Sequence, residues 1–100
     1  MIRTIESLHH FKEVTSGSAL VEFGDSNSFV CNELDCVLQE LSEDTGFPIY
    51  KVNVDLLPEV AQELRIVEVP VTFVYKAGKL SSGFIGVRSA EMIRSQHLYA

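Results

Sequence analysis

In the first half of the sequence, an apolar pattern typical of a β-strand is followed directly by an apolar pattern typical of an α-helix. Residues 19–23, Ala-Leu-Val-Glu-Phe, form a short and nearly continuous apolar run, which is typical of a buried β-strand. Residues 24–28 are rich in turn and helix-capping residue types. Beyond them, apolar side chains recur at helical spacing until Gly46, which suits a C-terminal helix cap. A buried strand that leads directly into an amphipathic helix predicts an α/β arrangement.

The same alternation continues along the whole chain. Further strands are predicted at residues 2–5, 49–54, 71–76 and 80–86, and further helices at residues 7–14 and 58–64 and from Ser89 onward. The order β-α-β-α-β-α-β-β-α predicts an α/β fold with a central mixed sheet and helices on both faces. Its 100 residues, of which 46% are apolar, suffice for one domain spanning residues 1–100.

Several local expectations follow from individual residues. Asp55 is predicted to cap the helix that starts at Pro58, and Ser89 to cap the last helix. In that last helix, Met92, Ile93 and Gln96 are expected to face inward. The segment Ala77-Gly78-Lys79 is predicted to form a tight hairpin turn between the last two strands.

Charge and composition disfavour several functions. The net charge of −6 repels phosphate backbones, so we expect no nucleic-acid partner. No apolar run approaches the ~20 residues of a membrane helix, and the first residues show no signal-peptide pattern. We therefore expect no membrane association, a cytoplasmic location and reduced cysteines. His9 and His10 would point about 100° apart on a helix, so we expect no metal site there and no cofactor.

Several short motifs resemble the thioredoxin family over nearly the whole chain. Val21-Glu22-Phe23 is similar to the strand that leads to the family's active site, and Val69-Pro70 is similar to its cis-proline. Matches to the second helix, to the end of the third strand and to the hairpin turn are residues 37–41, 53–55 and 76–79. The resemblance implies a thioredoxin-like fold and a relation to thiol–disulfide redox homeostasis.

The register of this resemblance places Ser28-Phe29-Val30-Cys31 on the family's Cys-Gly-Pro-Cys active-site motif. Ser28 then stands at the position of the nucleophilic cysteine, and Cys31 at that of the resolving cysteine. Glu22 matches a buried acid of the family, whereas Gly24 and Asn27 stand where it usually has tryptophan. The resemblance therefore implies a degenerate Ser-x-x-Cys site.

Two readings of these residues remain open. Dithiol exchange needs two thiols, and a serine oxygen cannot form the disulfide intermediate, so Ser28 suits a helix cap better than a nucleophile. Cys31 is either a packed small apolar residue or a monothiol that forms mixed disulfides. The second cysteine, Cys36, lies five residues further on, which on one helix places the two Cα atoms beyond disulfide reach.

A second function class rests on Pro70. Either this proline only shapes its loop, or it borders a groove for an extended peptide together with Asn27, Phe29, Val30 and Val69. The first functional hypothesis is a thioredoxin-like protein with weak or no dithiol reductase activity and at most monothiol chemistry at Cys31. The alternative is a non-catalytic module that binds a protein partner in that groove, so whether the chain is an enzyme stays open.

Overall fold

Five strands form one mixed sheet at the centre of the molecule. The computed structural model describes residues 1–99. The strands are β1 (Ile2–Thr4), β2 (Ala19–Gly24), β3 (Ile49–Asn53), β4 (Val71–Lys76) and β5 (Lys79–Ile85). Their order across the sheet is β1-β3-β2-β4-β5. Strand β3 is parallel to both β1 and β2, whereas β4 is antiparallel to β2 and β5. The central strand β2 is buried along its whole length, as its apolar run predicts.

Helices cover both faces of this sheet. They are α1 (Leu8–Val14), α2 (Phe29–Thr45), α3 (Pro58–Glu63) and α4 (Ala90–Ile93), and a π-helical turn, Arg94–Leu98, continues α4. One core cluster joins the sheet to α2 and α4 through Leu20, Leu34, Leu38, Val74 and Ile93. A second cluster joins the opposite face to α1 and α3 through Phe11, Val21, Phe23, Val52 and Val60. The predicted element order and the two-faced arrangement are confirmed. None of the helices described within residues 1–99 is long and apolar enough to cross a membrane.

Serine side chains cap three of the four helices. The hydroxyl oxygens of Ser7, Ser28 and Ser89 each accept a hydrogen bond from the backbone N–H three residues later. Gly46 ends α2 with a positive φ of 69°, as a C-terminal glycine cap does. The predicted cap at Asp55 is wrong, because α3 begins after Leu57 without a side-chain cap.

The end of the chain also departs from the prediction. Ile93 is fully buried, but Met92 and Gln96 are exposed, so their predicted inward orientation is wrong. Met92 lies on the exposed side of α4. For Gln96 the cause is the change from an α-helix to a π-helical turn after Ile93. The hydrogen bonds of a π-helix join residues five apart, and the next buried side chain after Ile93 is that of Leu98.

The hairpin turn is one residue tighter than predicted, because Lys79 already pairs with Lys76 in the sheet. Ala77 and Gly78 form the turn with φ angles of 54° and 81°, both in the left-handed region that such two-residue turns require. A Cβ atom on Gly78 would also lie 2.9 Å from the carbonyl oxygen of Ser16, so this position demands glycine.

Candidate functional site

The loop between β2 and α2 is ordered by two side-chain oxygens. Oδ1 of Asp25 accepts hydrogen bonds from the backbone N–H groups of Asn27, at 3.1 Å, and Ser28, at 2.7 Å. The Ser28 hydroxyl oxygen in turn accepts a hydrogen bond from the backbone N–H of Cys31 at 3.3 Å. Ser28 therefore serves as the cap of α2, and its oxygen satisfies a backbone donor that the helix leaves free.

Cys31 lies beneath this loop and is completely buried. Gly24, the last residue of β2, faces it. A Cβ atom on Gly24 would lie 3.1 Å from the Cys31 sulfur and 3.3 Å from Oε2 of Glu22. The absence of a side chain at Gly24 thus leaves a space that borders both the thiol and the carboxyl group.

Glu22 is fully buried at the centre of the sheet, at the depth that the register of the motif predicts. Its neighbours across the sheet are Lys51 on β3 and Thr72 on β4. Burial is the largest of the causes that raise the pKa of Glu22 to about 9. The neighbouring Asp35 adds to the rise through its negative charge and as an acceptor for a proton on Glu22, and the positive charge of Lys51 opposes it. Burial and the nearby Asp35 charge therefore favour the protonated form of the Glu22 carboxyl group.

Asp35 and Lys51 complete this polar cluster, and neither was predicted from the sequence as a site residue. The Lys51 ammonium donates to Oδ2 of Asp35 over 2.7 Å, in an ion pair whose two side chains are about one fifth to one third exposed. Two signals point to them in the sequence. Asp35 follows Cys31 by one helical turn, and Lys51 is the one charged residue in the predicted strand 49–54.

The second thiol, that of Cys36, lies on the surface and outside the buried cluster around Cys31. Cys36 is exposed, and both cysteines are free along the continuous helix α2, as the spacing predicts. Cys36 borders a shallow cavity of about 510 Å³ with Ile2, Asp35, Gln39 and Lys51. The side chains of Cys31 and Cys36 therefore meet different environments, one closed and one open to solvent.

The predicted groove residues divide into two groups. Asn27, Phe29 and Val30 lie exposed on the loop and the first turn of α2, and the Phe29 side chain is 81% exposed. Val69 is half-buried and Pro70 buried at the start of β4, with a cis peptide bond between them. Both groups lie at the same end of the sheet, because β4 begins beside the end of β2, where Val71 pairs with Phe23.

A cavity of about 180 Å³ lies close to Pro70, between the segment before β4 and the end of β5. Its walls come from Leu64, Arg65, Ile66, Val67, Glu68, Val71, Phe73 and Ile85. None of the five predicted groove residues lines this cavity. The apolar surface at this end of the sheet is therefore wider than the sequence analysis indicates.

The histidine pair remains a surface feature. Nε2 of His9 lies 3.6 Å from a carboxylate oxygen of Glu13, whereas Nδ1 of His10 accepts a hydrogen bond from the backbone N–H of Glu6. Within residues 1–99, no group of three or more His, Cys, Asp or Glu side chains is arranged to hold a metal ion.

Known proteins share both the sequence pattern and the fold. A sequence model of the thioredoxin family matches residues 2–97. A thioredoxin of Alternaria alternata is 32% identical over 93 residues, which cover 87% of this chain and 77% of that protein. A thioredoxin of Listeria monocytogenes is 27% identical over 93 residues, which cover 91% and 90% of the two chains.

The fold agrees with these sequence matches. The crystal structure of a thioredoxin from Malassezia sympodialis is 25% identical and superposes with a TM-score of 0.85, covering 97% of this chain and 90% of the other. The resemblance that the motifs indicate is thus confirmed, and so is the thioredoxin-like fold. The chain belongs to the thioredoxin family.

Proposed function

We propose that this chain is a redox-related member of the thioredoxin family whose Ser28-x-x-Cys31 site has little or no dithiol–disulfide reductase activity. The observation that carries the proposal is that the oxygen of Ser28 caps α2 and that Cys31 is fully buried. The family resemblance aligns Ser28 with the attacking thiol and Cys31 with the resolving thiol. No thiol is therefore exposed at the active-site loop.

The chemistry supports this reading. In dithiol exchange, an exposed thiolate attacks a substrate disulfide and releases one substrate thiol, and a second thiolate then breaks the mixed disulfide and releases the other. The two protein thiols supply both electrons and end as a disulfide. A single thiol at Cys31 can complete only the first step. The mixed disulfide then persists until an external thiol, such as glutathione, resolves it.

Insulin reduction with dithiothreitol tests the proposal directly. We expect wild-type protein and Cys31→Ser to give the same slow rate as dithiothreitol alone. Cys36→Ser is the matched control, because it removes a thiol outside the site. Thioredoxin-like turnover in the wild type that Cys31→Ser abolishes and Cys36→Ser preserves would overturn the proposal.

The alternative, a binding module without catalysis, rests on a separate observation. Phe29 and Val30 present apolar side chains to solvent at the loop, 81% and 41% exposed, although the thiol beside them is buried. Together with the segment at Pro70, these side chains form a surface that suits an extended, mildly apolar peptide of a protein partner.

An array of extended peptides distinguishes the two functions. Binding that Phe29→Ser weakens and Cys31→Ser leaves intact supports the binding module. Leu80→Ser is the matched control, since Leu80 is also apolar, is 58% exposed and lies beside the hairpin turn at the opposite end of the sheet. Equal binding by the wild type, Phe29→Ser and Leu80→Ser argues against a specific surface at the loop.

A further inference from the structure

Buried oxygen atoms without hydrogen bonds are concentrated around Glu22. Among the residues described, neither carboxyl oxygen of Glu22 has a hydrogen-bonding donor, and the buried Oδ1 of Asp35 and the hydroxyl of Thr72 also lack partners. Buried polar atoms are rarely left in this state, because each unsatisfied group costs about 1–3 kcal/mol. These oxygens of Glu22, Asp35 and Thr72 therefore need a hydrogen-bond donor.

A proton on Glu22 supplies the missing donor. An ionised Glu22 would be a fully buried charge without a hydrogen bond, since the nearest ammonium, that of Lys51, is bound to Asp35 at 2.7 Å. A protonated Glu22 can donate to Oδ1 of Asp35, whose other oxygen already accepts from Lys51. One carboxylate, one ammonium and one neutral acid then leave the cluster without net charge.

We propose that Asp35 is a positioning residue of the Cys31 site, because its carboxylate holds the Lys51 ammonium and the Glu22 proton and so leaves the Cys31 thiol without a base. This inference rests on the proposed function, in which Cys31 is the remaining redox group. It adds a second cause for low activity that is independent of the missing thiol.

The surroundings of Glu22 support the proposal from every side. Cys31 and Asp35 approach from α2, Lys51 from β3 and Thr72 from β4, and Gly24 leaves room between the carboxyl group and the Cys31 sulfur. The negative charge of Asp35 and its capacity to accept a proton from Glu22 both raise the pKa of Glu22, whereas Lys51 lowers it. Removing the Asp35 charge would therefore release Lys51 to stabilise an ionised Glu22.

The test is the titration of Glu22 in Asp35→Asn, followed by NMR of its labelled side-chain carboxyl carbon. Removing a like charge at close range should lower the pKa of Glu22 by about one to three pH units. Glu33→Gln is the matched control, because it removes one exposed carboxylate of α2 without touching the cluster. A folded Asp35→Asn protein in which Glu22 titrates as in the wild type would overturn the proposal, as would an equal shift in Glu33→Gln.

A measurement on the unmodified cluster keeps the proposal testable if Asp35→Asn does not fold. At neutral pH, the infrared spectrum of the wild type should contain the C=O band of a protonated carboxylic acid, and Glu22→Gln should remove that band. A spectrum without such a band contradicts a proton held on Glu22.

The consequence for the thiol is measured in a Cys36→Ser background, where Cys31 is the single cysteine. Adding Asp35→Asn should make alkylation of Cys31 begin at a lower pH, because an ionised Glu22 can accept the thiol proton. An unchanged pH profile with a shifted Glu22 titration would overturn the link to Cys31. Neither readout depends on disulfide reductase activity, so this inference and the proposed function fail separately.

Discussion

The hydroxyl oxygen of Ser28 accepts a hydrogen bond from the backbone N–H of Cys31 at 3.3 Å. This hydrogen bond caps the first turn of α2, so the Ser28 side chain has a structural role. In the proposed register, these two positions correspond to the pair of reacting thiols in the family's motif. A serine oxygen cannot form the disulfide intermediate of thiol exchange.

Replacing Ser28 by alanine should destabilise the protein, because the N–H of Cys31 loses its acceptor. We expect the free energy of unfolding to fall by about 1 kcal/mol, measured by urea denaturation. Ser26→Ala, at an exposed position of the same loop, should have almost no effect. Equal losses in the two variants would show that the cap contributes nothing.

Ser28→Cys should place a second thiol one helical turn from Cys31, within disulfide reach. In a Cys36→Ser background, mild oxidation should then remove both free thiols in a thiol titration, and insulin reduction should rise above the wild-type rate. A folded variant that keeps both thiols after oxidation would show that the site has lost more than a sulfur atom.

The unfolding free energy should decrease as the pH rises, because the Glu22 carboxyl group holds its proton more strongly in the folded state than in the unfolded state. The pKa of Glu22 is raised from 4.5 to about 9, so between these values the folded state binds its proton more strongly than the unfolded state does. The contribution of one group is at most about 1.4 kcal/mol per pH unit. Glu22→Gln should remove this decrease, and urea denaturation from pH 5 to pH 8.5 compares the two proteins. Parallel profiles would contradict a buried, protonated Glu22.

Gly24→Ala should crowd the site. The new methyl group would lie 3.1 Å from the Cys31 sulfur and 3.3 Å from Oε2 of Glu22, which is closer than unstrained packing allows. We expect the unfolding free energy to fall by about 1 kcal/mol. Gly17→Ala is the control, since a Cβ atom there meets nothing within 4 Å. If both substitutions stabilised the protein, the side chains of Cys31 and Glu22 would be able to move aside and accommodate the new methyl group at low cost.

The two thiols should differ in reactivity by orders of magnitude. Cys36 is exposed and Cys31 fully buried, so a short pulse of iodoacetamide should label Cys36 alone in the native protein and both residues in urea. Peptide mass spectrometry assigns the label. Rapid labelling of Cys31 under native conditions would place its sulfur within reach of substrates and weaken the proposed function.

Much of this fold could be read from local patterns. The buried run of β2, the capped helix from Ser28 to Gly46 and the alternation along the chain depend on neighbouring residues, and the structure confirms each of them. The predicted cap at Asp55 was wrong because α3 begins without a side-chain cap. The predicted inward orientation of Gln96 was wrong because the chain forms a π-helical turn there. Local residue types do not specify either of these geometries.

The candidate site divides in the same way. The sequence by itself determined that residue 28 is a serine and that residues 28–31 contain a single thiol, that of Cys31, because the identity of the atoms settles which bonds they can form. Only the tertiary structure decided what surrounds that thiol. Glu22, Asp35 and Lys51 lie on three elements, β2, α2 and β3. Their side chains meet because of the register of β2 against β3 and the way α2 packs on the sheet.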